Sequence, residues 1–269
     1  MFASILKAAT KRQSPQALKW VWKQVYNVMS RSWRDDDWRF MNYGYIPESN
    51  ADFPLADRDE ADRAFIGLYH QAVDGLNLKG KRVLEVGSGR GGGSSYLART
   101  YEADEVVGAD YSGETVKIAR TLNTDVSNLT FEVGDAENLP FPDASFDVVV
   151  NIESSHCYAN VPAFISEVAR VLKPGGTFTW ADLRTRTMME KLDDDLAHQD
   201  LKLIHQSELT PGVVRALDAM HDRKESRIQK SWFFKRFMAE FSAQKGSTIY
   251  RGLNNGGGRY TARRYERVS

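Results

Sequence analysis

The segment Val83-Leu84-Glu85-Val86-Gly87-Ser88-Gly89-Arg90-Gly91 restricts this chain more than any other. A short apolar run ends in closely spaced glycines and passes into a helix-like stretch. Glycines at such a junction allow a tight turn and let a ligand approach the main chain. The pattern is that of a strand–loop–helix nucleotide site at the edge of a parallel sheet. The loop alone is shared by dinucleotide-binding and flavin proteins. The run Gly87-Ser88-Gly89-Arg90-Gly91-Gly92-Gly93 does not fix one spacing.

The surroundings of the loop support an α/β reading. Residues 79–185 alternate strand and helix. Strands are predicted at Arg82–Val86, Glu105–Asp110, Leu129–Val133, Phe146–Asn151 and Thr177–Asp182. Helices are predicted at Gly91–Tyr101, Gly113–Asn123 and Val161–Leu172, the last stopped by Lys173-Pro174-Gly175-Gly176. Strands joined by such helices imply right-handed crossovers and a parallel sheet. Residues 1–78 read as a helical, aromatic-rich N-terminal cap, and 79–269 as the main domain. Leu18, Val21, Trp22, Val25, Tyr26 and Met29 follow the apolar face of one helix. Arg34 to Asp37 read as a turn and Glu48 to Pro54 as a loop. Residues 186–245 read as a largely helical lid inserted into the domain. The runs Ser247–Gly252 and Arg259–Val268, separated by Asn254-Asn255-Gly256-Gly257-Gly258, predict a terminal hairpin.

Composition removes several function classes. With 36 basic and 36 acidic side chains there is no basic excess to grip nucleic acid, although a local patch stays open. Cys157 is the one cysteine, so neither an intramolecular disulfide nor a cysteine zinc site can be built. No metal is expected. Asp193-Asp194-Asp195 do not share a helix face and read as solvated. No apolar run approaches the roughly 20 residues that span a bilayer. The first residues are too short and polar for a secretory signal. A cytoplasmic protein is expected, with at most peripheral membrane contact through Lys19, Lys23 and Arg31. A homodimer is admitted.

Two acids and a turn then narrow the ligand. Asp110 ends the second strand, 21 residues past Gly89, where a carboxylate can accept from both ribose hydroxyls. After the third strand come Gly134-Asp135-Ala136-Glu137-Asn138-Leu139-Pro140-Phe141. An acid there can accept from an adenine amine, and the Pro-Phe pair can wall the ring. Together with Phe146–Asn151 and Val168–Gly176, these segments resemble class I methyltransferases. That resemblance implies a Rossmann-like seven-stranded sheet of order 3-2-1-4-5-7-6, strand 7 antiparallel. It also implies S-adenosylmethionine as cofactor. The residues it places on the cofactor are Glu85, Gly87, Ser88, Gly89, Asp110, Tyr111, Asp135, Ala136 and Asn151.

A closer resemblance covers most of the chain. Asn42-Tyr43-Gly44-Tyr45, Leu55 to Glu60, Leu68-Tyr69-His70, Gly91 to Leu97 and Glu153-Ser154-Ser155-His156-Cys157-Tyr158 are similar to a group of mycobacterial enzymes. These are the phthiotriol and phenolphthiotriol dimycocerosate O-methyltransferases, with the related fatty-acid and glycopeptidolipid O-methyltransferases. The group implies a hydroxylated, lipid-like or small-molecule acceptor. In this chain the loop has Gly87, which the phthiotriol enzyme lacks, so the acceptors need not coincide.

Methyl transfer to an alcohol needs a base, whereas a carboxylate acceptor does not. His156 falls five residues past the fourth strand, and Asp182 ends the fifth. Both fall on the ligand-binding edge of a parallel sheet. Their 26-residue separation resembles that in the sugar O-methyltransferases of indolocarbazole biosynthesis, which implies His156 as general base and Asp182 as its partner. A His packed under a loop, with Asp182 capping a turn, is the alternative. Glu153 has two readings, as a participant or as a loop anchor. His70 reads as structural. Tyr43 and Tyr45 can close over a sulfonium through their ring faces or simply pack. Arg184 and Arg186 can meet an anionic group or stay solvated. The Met-, Leu- and Phe-rich stretch from Met188 to Phe241 suits either a greasy pocket or a core. The expected activity is O-methylation of a lipid or natural-product hydroxyl. Fatty-acid carboxyl methylation, a cyclase or lipid-binding use of the fold, and N- or C-methylation remain alternatives.

Overall fold

Successive residues of the apolar runs are buried on opposite faces of one sheet, and this positions everything else. The computed structural model describes residues 38–49, 52–222 and 235–268, and Gln24. The rest of the Leu18–Met29 stretch, Lys19, Lys23, Arg31, Arg34 to Asp37, and Trp232 to Phe234 lie outside the described residues.

A short 3₁₀ turn at Asp57–Asp62 leads into α1 (Arg63–Val73). Then follow β1 (Arg82–Val86), α2 (Gly92–Thr100), β2 (Glu105–Asp110), α3 (Gly113–Leu122), β3 (Leu129–Val133) and β4 (Phe146–Ile152). The second half comprises α4 (Val161–Val171), β5 (Leu172–Thr185), α5 (Arg186–Met189), α6 (Leu192–Asp195), β6 (Leu201–Glu208), α7 (Thr210–Ala219), α8 (Lys235–Phe241), α9 (Thr248–Asn255) and β7 (Gly258–Arg267). The seven strands form one sheet in the order β3-β2-β1-β4-β5-β7-β6. β1 to β5 are parallel, and β7 runs antiparallel to both β5 and β6.

On one face Val83, Val106, Val148 and Ala181 meet α1, α2, α3 and α7 through Leu68, Tyr96, Val116 and Val213. On the other, Leu84, Val107, Val149, Phe178 and Trp180 meet α4 through Phe164, Ile165 and Val168. Period-two alternation in strands covered on both faces accounts for the continuous apolar runs. Local caps fix the helix starts. Asn160 accepts from Ala163 N at 3.1 Å to begin α4, and Ser112 accepts from Thr115 N at 3.2 Å to begin α3.

Three expectations are corrected. The 186–245 stretch is not simply helical, because it supplies β6. Leu201–Glu208 is exposed along most of its length, so it shows no alternation of buried and solvated positions. Ser247–Gly252 is not a strand. Ser247 accepts from Tyr250 N at 3.0 Å and caps α9 instead. The partners of β7 are therefore β5 and β6, with Asp182 opposite Thr261 and Glu208 opposite Thr261 on the other side. Among the described residues, no helix is long and apolar enough to cross a membrane.

The loop after β1 needs close approach from α1. A Cβ built on Gly93 would lie 1.9 Å from Cζ of Tyr69, whose hydroxyl is committed to Glu85. Gly93→Ala is expected to destabilise the protein by about 1–3 kcal/mol, because a packed core resists an added methyl. The readout is thermal denaturation, and an unchanged midpoint would show that the Tyr69 ring moves aside freely.

Candidate functional site

In the order β3-β2-β1-β4 the direction in which successive strands are added reverses between β1 and β4, where a crevice opens at the carboxyl ends of parallel strands. A cleft of about 1000 Å³ lies there. Its floor is Val86 to Arg90, its sides are Ala109 to Ser112 and Gly134 to Glu137, and Ile152 to Ser154, Cys157 and Tyr158 close the far wall. Arg39, Phe40, Met41 and Asn42 complete it from the N-terminal segment.

The glycines form a cradle. Gly87 sits at φ +79° and Gly89 at φ +53°, in the left-handed region. A Cβ on Gly87 would lie 2.4 Å from Ser154 Oγ, so the loop can press against the β4 end only without a side chain. Glu85 holds the loop from below. It is fully buried, its Oε1 accepts from Tyr69 Oη at 2.7 Å, and Oε2 accepts from Ser94 Oγ. Burial lifts its carboxyl to about 7, against the pull of those two hydroxyl donors. Asp110 links the loop to β2: Oδ2 accepts from Gly89 N at 3.0 Å and Oδ1 from Ser112 N at 2.9 Å. Its pKa is raised, chiefly by burial. Asp135 Oδ1 accepts from Glu137 N at 3.0 Å, which sets the turn after β3.

Beside the cleft, the 3₁₀ turn Ser155–Cys157 is built on Asp182. The Asp182 side chain is completely buried. His156 Nδ1 lies 2.7 Å from its Oδ1, and His156 N donates to Oδ2 at 2.9 Å. Ser155 Oγ donates to Oδ2 at 2.7 Å, Leu183 N to Oδ1 at 2.8 Å, and Arg184 Nη1 lies 2.8 Å from Oδ2. Burial would raise the Asp182 carboxyl, but Arg184 and His156 outweigh it and hold the group well below the usual carboxylate range. Burial would lower His156. The Cys157 sulfur and the Asp182 carboxylate overcome that and raise it well above the ordinary imidazole value. The His156 side chain keeps 28 % exposure.

The structure brings Gly87, Ser88, Gly89, Asp110, Tyr111, Asp135 and Ala136 onto the cleft. Glu85 and Asn151 are not on its surface. Asn151 is buried below it, with Nδ2 reaching Val86 O and Ser154 Oγ, each at 2.8 Å. Tyr43 and Tyr45 do not line the cleft either. Tyr43 is buried and packs in the core, while a Cβ on Gly212 would meet Cε2 of Tyr45 at 2.2 Å. The segment that carries them does form the wall, through its neighbours Arg39 to Asn42. Arg184 is neither solvated nor turned to a ligand: it is 2 % exposed and lies over Trp180, with Cζ 5.0 Å from the ring centroid. Asp193 is exposed, as read, and pairs with Arg263 at 2.6 Å. His70 is a packing residue, stacked on Phe53 and 2.8 Å from Tyr101 Oη. Leu192, Leu196 and Leu201 belong to the core beside Tyr265, and Leu217 and Met220 to the core beside α1, so none of them faces the cleft. The described residues contain no cluster that could hold a metal ion.

The cradle fits a nucleoside carrying a cationic tail. Backbone lines the floor where side chains are excluded, a carboxylate ends β2 and another follows β3. Glu153 adds a further carboxyl to the wall, while Arg39 and Arg90 supply positive charge.

Comparison with known proteins agrees with that reading. Residues 84–180 match a family model described as a methyltransferase domain. The chain is 38 % identical over 245 residues to the phthiotriol/phenolphthiotriol dimycocerosates methyltransferase of Mycobacterium tuberculosis, covering 90 % of both chains. It is 41 % identical over 208 residues to the fatty-acid O-methyltransferase of Mycolicibacterium smegmatis, covering 77 % of this chain and 76 % of that one. Among solved structures, geranyl diphosphate C-methyltransferase from Streptomyces coelicolor superposes with a TM-score of 0.65 at 15 % identity, over 90 % of this chain and 98 % of that one. At that identity the likeness concerns the fold.

The Asp182–Arg184 pair separates an internal counter-ion from a surface arginine. Arg184→Met is expected to destabilise the protein by about 3–5 kcal/mol, since it strands a buried carboxylate. Arg186→Met, on an exposed side chain, is expected to stay within about 0.5 kcal/mol. Chemical denaturation of the two variants side by side is the check. Equal effects would mean that Arg184 does not carry the Asp182 charge.

Proposed function

The chain belongs to the class I S-adenosylmethionine-dependent methyltransferases, and we propose that it moves the cofactor's methyl group onto an oxygen of a hydroxylated, lipid-like acceptor. The observation that carries the oxygen chemistry is the 2.7 Å contact between His156 Nδ1 and Asp182. In the neutral ring that contact keeps the proton on Nδ1, donating to the carboxylate, and makes Nε2 the nitrogen that can take a proton.

The Gly87–Gly89 backbone, Asp110 and Asp135 would hold the nucleoside part of S-adenosylmethionine, which supplies an electrophilic methyl on a positively charged sulfur. Asp110 and Asp135 offer acceptor oxygens for hydroxyl and amine groups. The buried carboxyls Glu85 and Asp110 hold the loop shape and favour a cation in the cleft. His156 removes the hydroxyl proton as the oxygen attacks, and Asp182 stabilises the resulting imidazolium. Arg184 keeps Asp182 ionised, so that it serves as a fixed anion and does not itself take the proton. The relatives' names support a lipid-like acceptor: one is a dimycocerosates methyltransferase, another a fatty-acid O-methyltransferase.

A second reading is favoured by one observation. Its neighbours raise the pKa of His156 well above the ordinary imidazole value and so favour its protonated form. A carboxylate acceptor needs no base and would be drawn to that cation. The two readings have opposite pH signatures. With a hydroxyl acceptor the working form is neutral imidazole, so kcat/KM rises with pH through an apparent pKa above 6.5. With a carboxylate acceptor it falls over the same limb.

His156→Ala is expected to lower turnover of a hydroxyl acceptor by about 10²–10⁴-fold, the usual contribution of a positioned base, with S-adenosylmethionine affinity little changed. Asp110→Ala is expected to weaken cofactor binding at least about tenfold, for loss of a charge-assisted hydrogen-bond acceptor. Labelled-methyl transfer and calorimetry read these separately. Full hydroxyl turnover by the His156 variant would remove the base role.

A further inference from the structure

The far wall of the cleft carries one acid, and the transfer chemistry does not use it. Glu153 follows β4 and lines the cavity beside Ile152, Ser154, Cys157 and Tyr158. Its backbone sits at φ +49°, a conformation that costs a non-glycine residue energy and collects at functional positions. Its own N–H donates to Ala181 O at 2.8 Å, which holds it there. Tyr43 N donates to Oε2 at 2.8 Å, and Tyr260 Oη of β7 donates to the same oxygen at 2.9 Å. Both donors are neutral. Among the described residues nothing donates to Oε1, and Oε1 is not one of the sealed, partnerless side-chain atoms. The titratable groups that face the carboxyl are His156 on the following turn, Asp182 on β5, and the phenols of Tyr43, Tyr69 and Tyr260. His156 is committed to Asp182 at 2.7 Å, and Arg184 to the same aspartate at 2.8 Å. Among the described residues no lysine or arginine pairs with Glu153. One of its oxygens is thus immobilised, the other is open, and its charge has no fixed partner.

We propose that Glu153 is a cofactor-binding residue that reads the cofactor's charge, holding the methyl-bearing sulfonium in preference to the neutral thioether left after transfer. The inference rests on the cofactor and not on the acceptor, so it stands for hydroxyl and carboxylate acceptors alike. With the nucleoside at Asp110 and Asp135, as proposed above, the rest of S-adenosylmethionine has the β4 side of the cleft to occupy. Glu153 is the acid of that wall. The arginines that line the cleft, Arg39 and Arg90, come instead from the N-terminal segment and the loop. Burial lifts the Glu153 carboxyl to about 8 in the free protein; Tyr43 N, His156 and Tyr260 pull it down, and Asp182 pushes it up. Below that pH the free protein keeps the proton on Glu153. A cation beside Oε1 favours the ionised form, so binding the sulfonium expels that proton to solvent. Once the methyl group and its charge have left, the carboxylate is unmatched, takes a proton back and loosens its hold.

The test needs no acceptor. Calorimetry measures the affinities of S-adenosylmethionine and S-adenosylhomocysteine for wild type and for Glu153→Gln, which keeps an oxygen for Tyr43 N and Tyr260 Oη and loses the charge. Their ratio cancels the nucleoside and the amino-acid tail that the two molecules share. It is read about one pH unit below and about one unit above the Glu153 value. In wild type the preference for S-adenosylmethionine is expected to rise several-fold between the two. At the upper pH Glu153→Gln should lower it about tenfold or more, since an opposite charge nearby moves a carboxyl by roughly one to three units, and should flatten its pH dependence. At the lower pH S-adenosylhomocysteine affinity should stay within about twofold, because a neutral amide then replaces a neutral carboxyl. Binding heats in two buffers of different ionisation enthalpy should show more proton release with S-adenosylmethionine than with S-adenosylhomocysteine, in wild type and not in the variant. Tyr260→Phe removes one donor and leaves the charge, so it should keep the preference. An unchanged ratio in Glu153→Gln, a parallel loss of both affinities, or an equal loss of preference in Tyr260→Phe overturns the proposal. If the variant does not fold, wild type alone decides: a flat ratio with no extra proton released overturns it. Wild-type binding of neither molecule overturns it together with the cofactor assignment, which every other outcome leaves standing.

Discussion

The site hangs on one carboxylate. Asp182 is completely buried and receives five groups: Ser155 Oγ, His156 N, His156 Nδ1, Leu183 N and Arg184 Nη1. An ion of that kind is tolerated in the interior only when its lone pairs are satisfied and its charge is matched. Here the matching groups come from the turn after β4 and from β5 itself. The same contacts that make the ion affordable fix the turn, and the turn fixes His156. Remove the ion and the imidazole loses both its orientation and its tautomer.

The charge of the cleft follows the same logic. Burial raises Glu85 to about 7 and Glu153 to about 8, and it raises Asp110 as well. Glu153 and Asp110 line the cleft with carboxyls that burial makes costly to ionise, while Glu85 lies beneath its surface. The arginines of the cleft sit on its N-terminal wall and at the loop, Arg39 and Arg90, while the acids occupy the strand ends.

Much of this was legible because it follows from local rules. β1, β2 and β4 are apolar runs of strand length buried on both faces, β3 at the edge alternates buried and exposed positions, and the ends of all four fall within a residue of expectation. The glycine loop, Asp110 and Asp135 line the cleft as their places at strand ends require. What escaped depends on partners distant in sequence. β6 has most of its residues exposed, so pairing with β7, and not an alternating pattern, makes it a strand. Ser247–Gly252 has strand-like composition, yet a serine cap turns it into helix. Arg184 looked like a surface or ligand group, although residues i and i+2 of a strand share a face, and Asp182 two positions earlier was the available clue. Tyr43 and Tyr45 mark the right segment but point into the core, because the loop that carries them has no fixed period from which facing could be read.

The position of β7 bears on how the molecule reaches this state. It is the last described strand in the chain, yet it lies between β5 and β6, pairing Asp182 with Thr261 across 79 positions. Contacts between residues so far apart form late, since the chain must first close a long loop. Until β7 inserts, β5 presents a bare edge, and β6 has no partner in the sheet. Tyr260, which anchors Glu153, travels on that strand. Completion of the Glu153 side of the cleft is therefore coupled to the final zippering of the sheet. During synthesis, β1 to β4 can organise well before that side is closed.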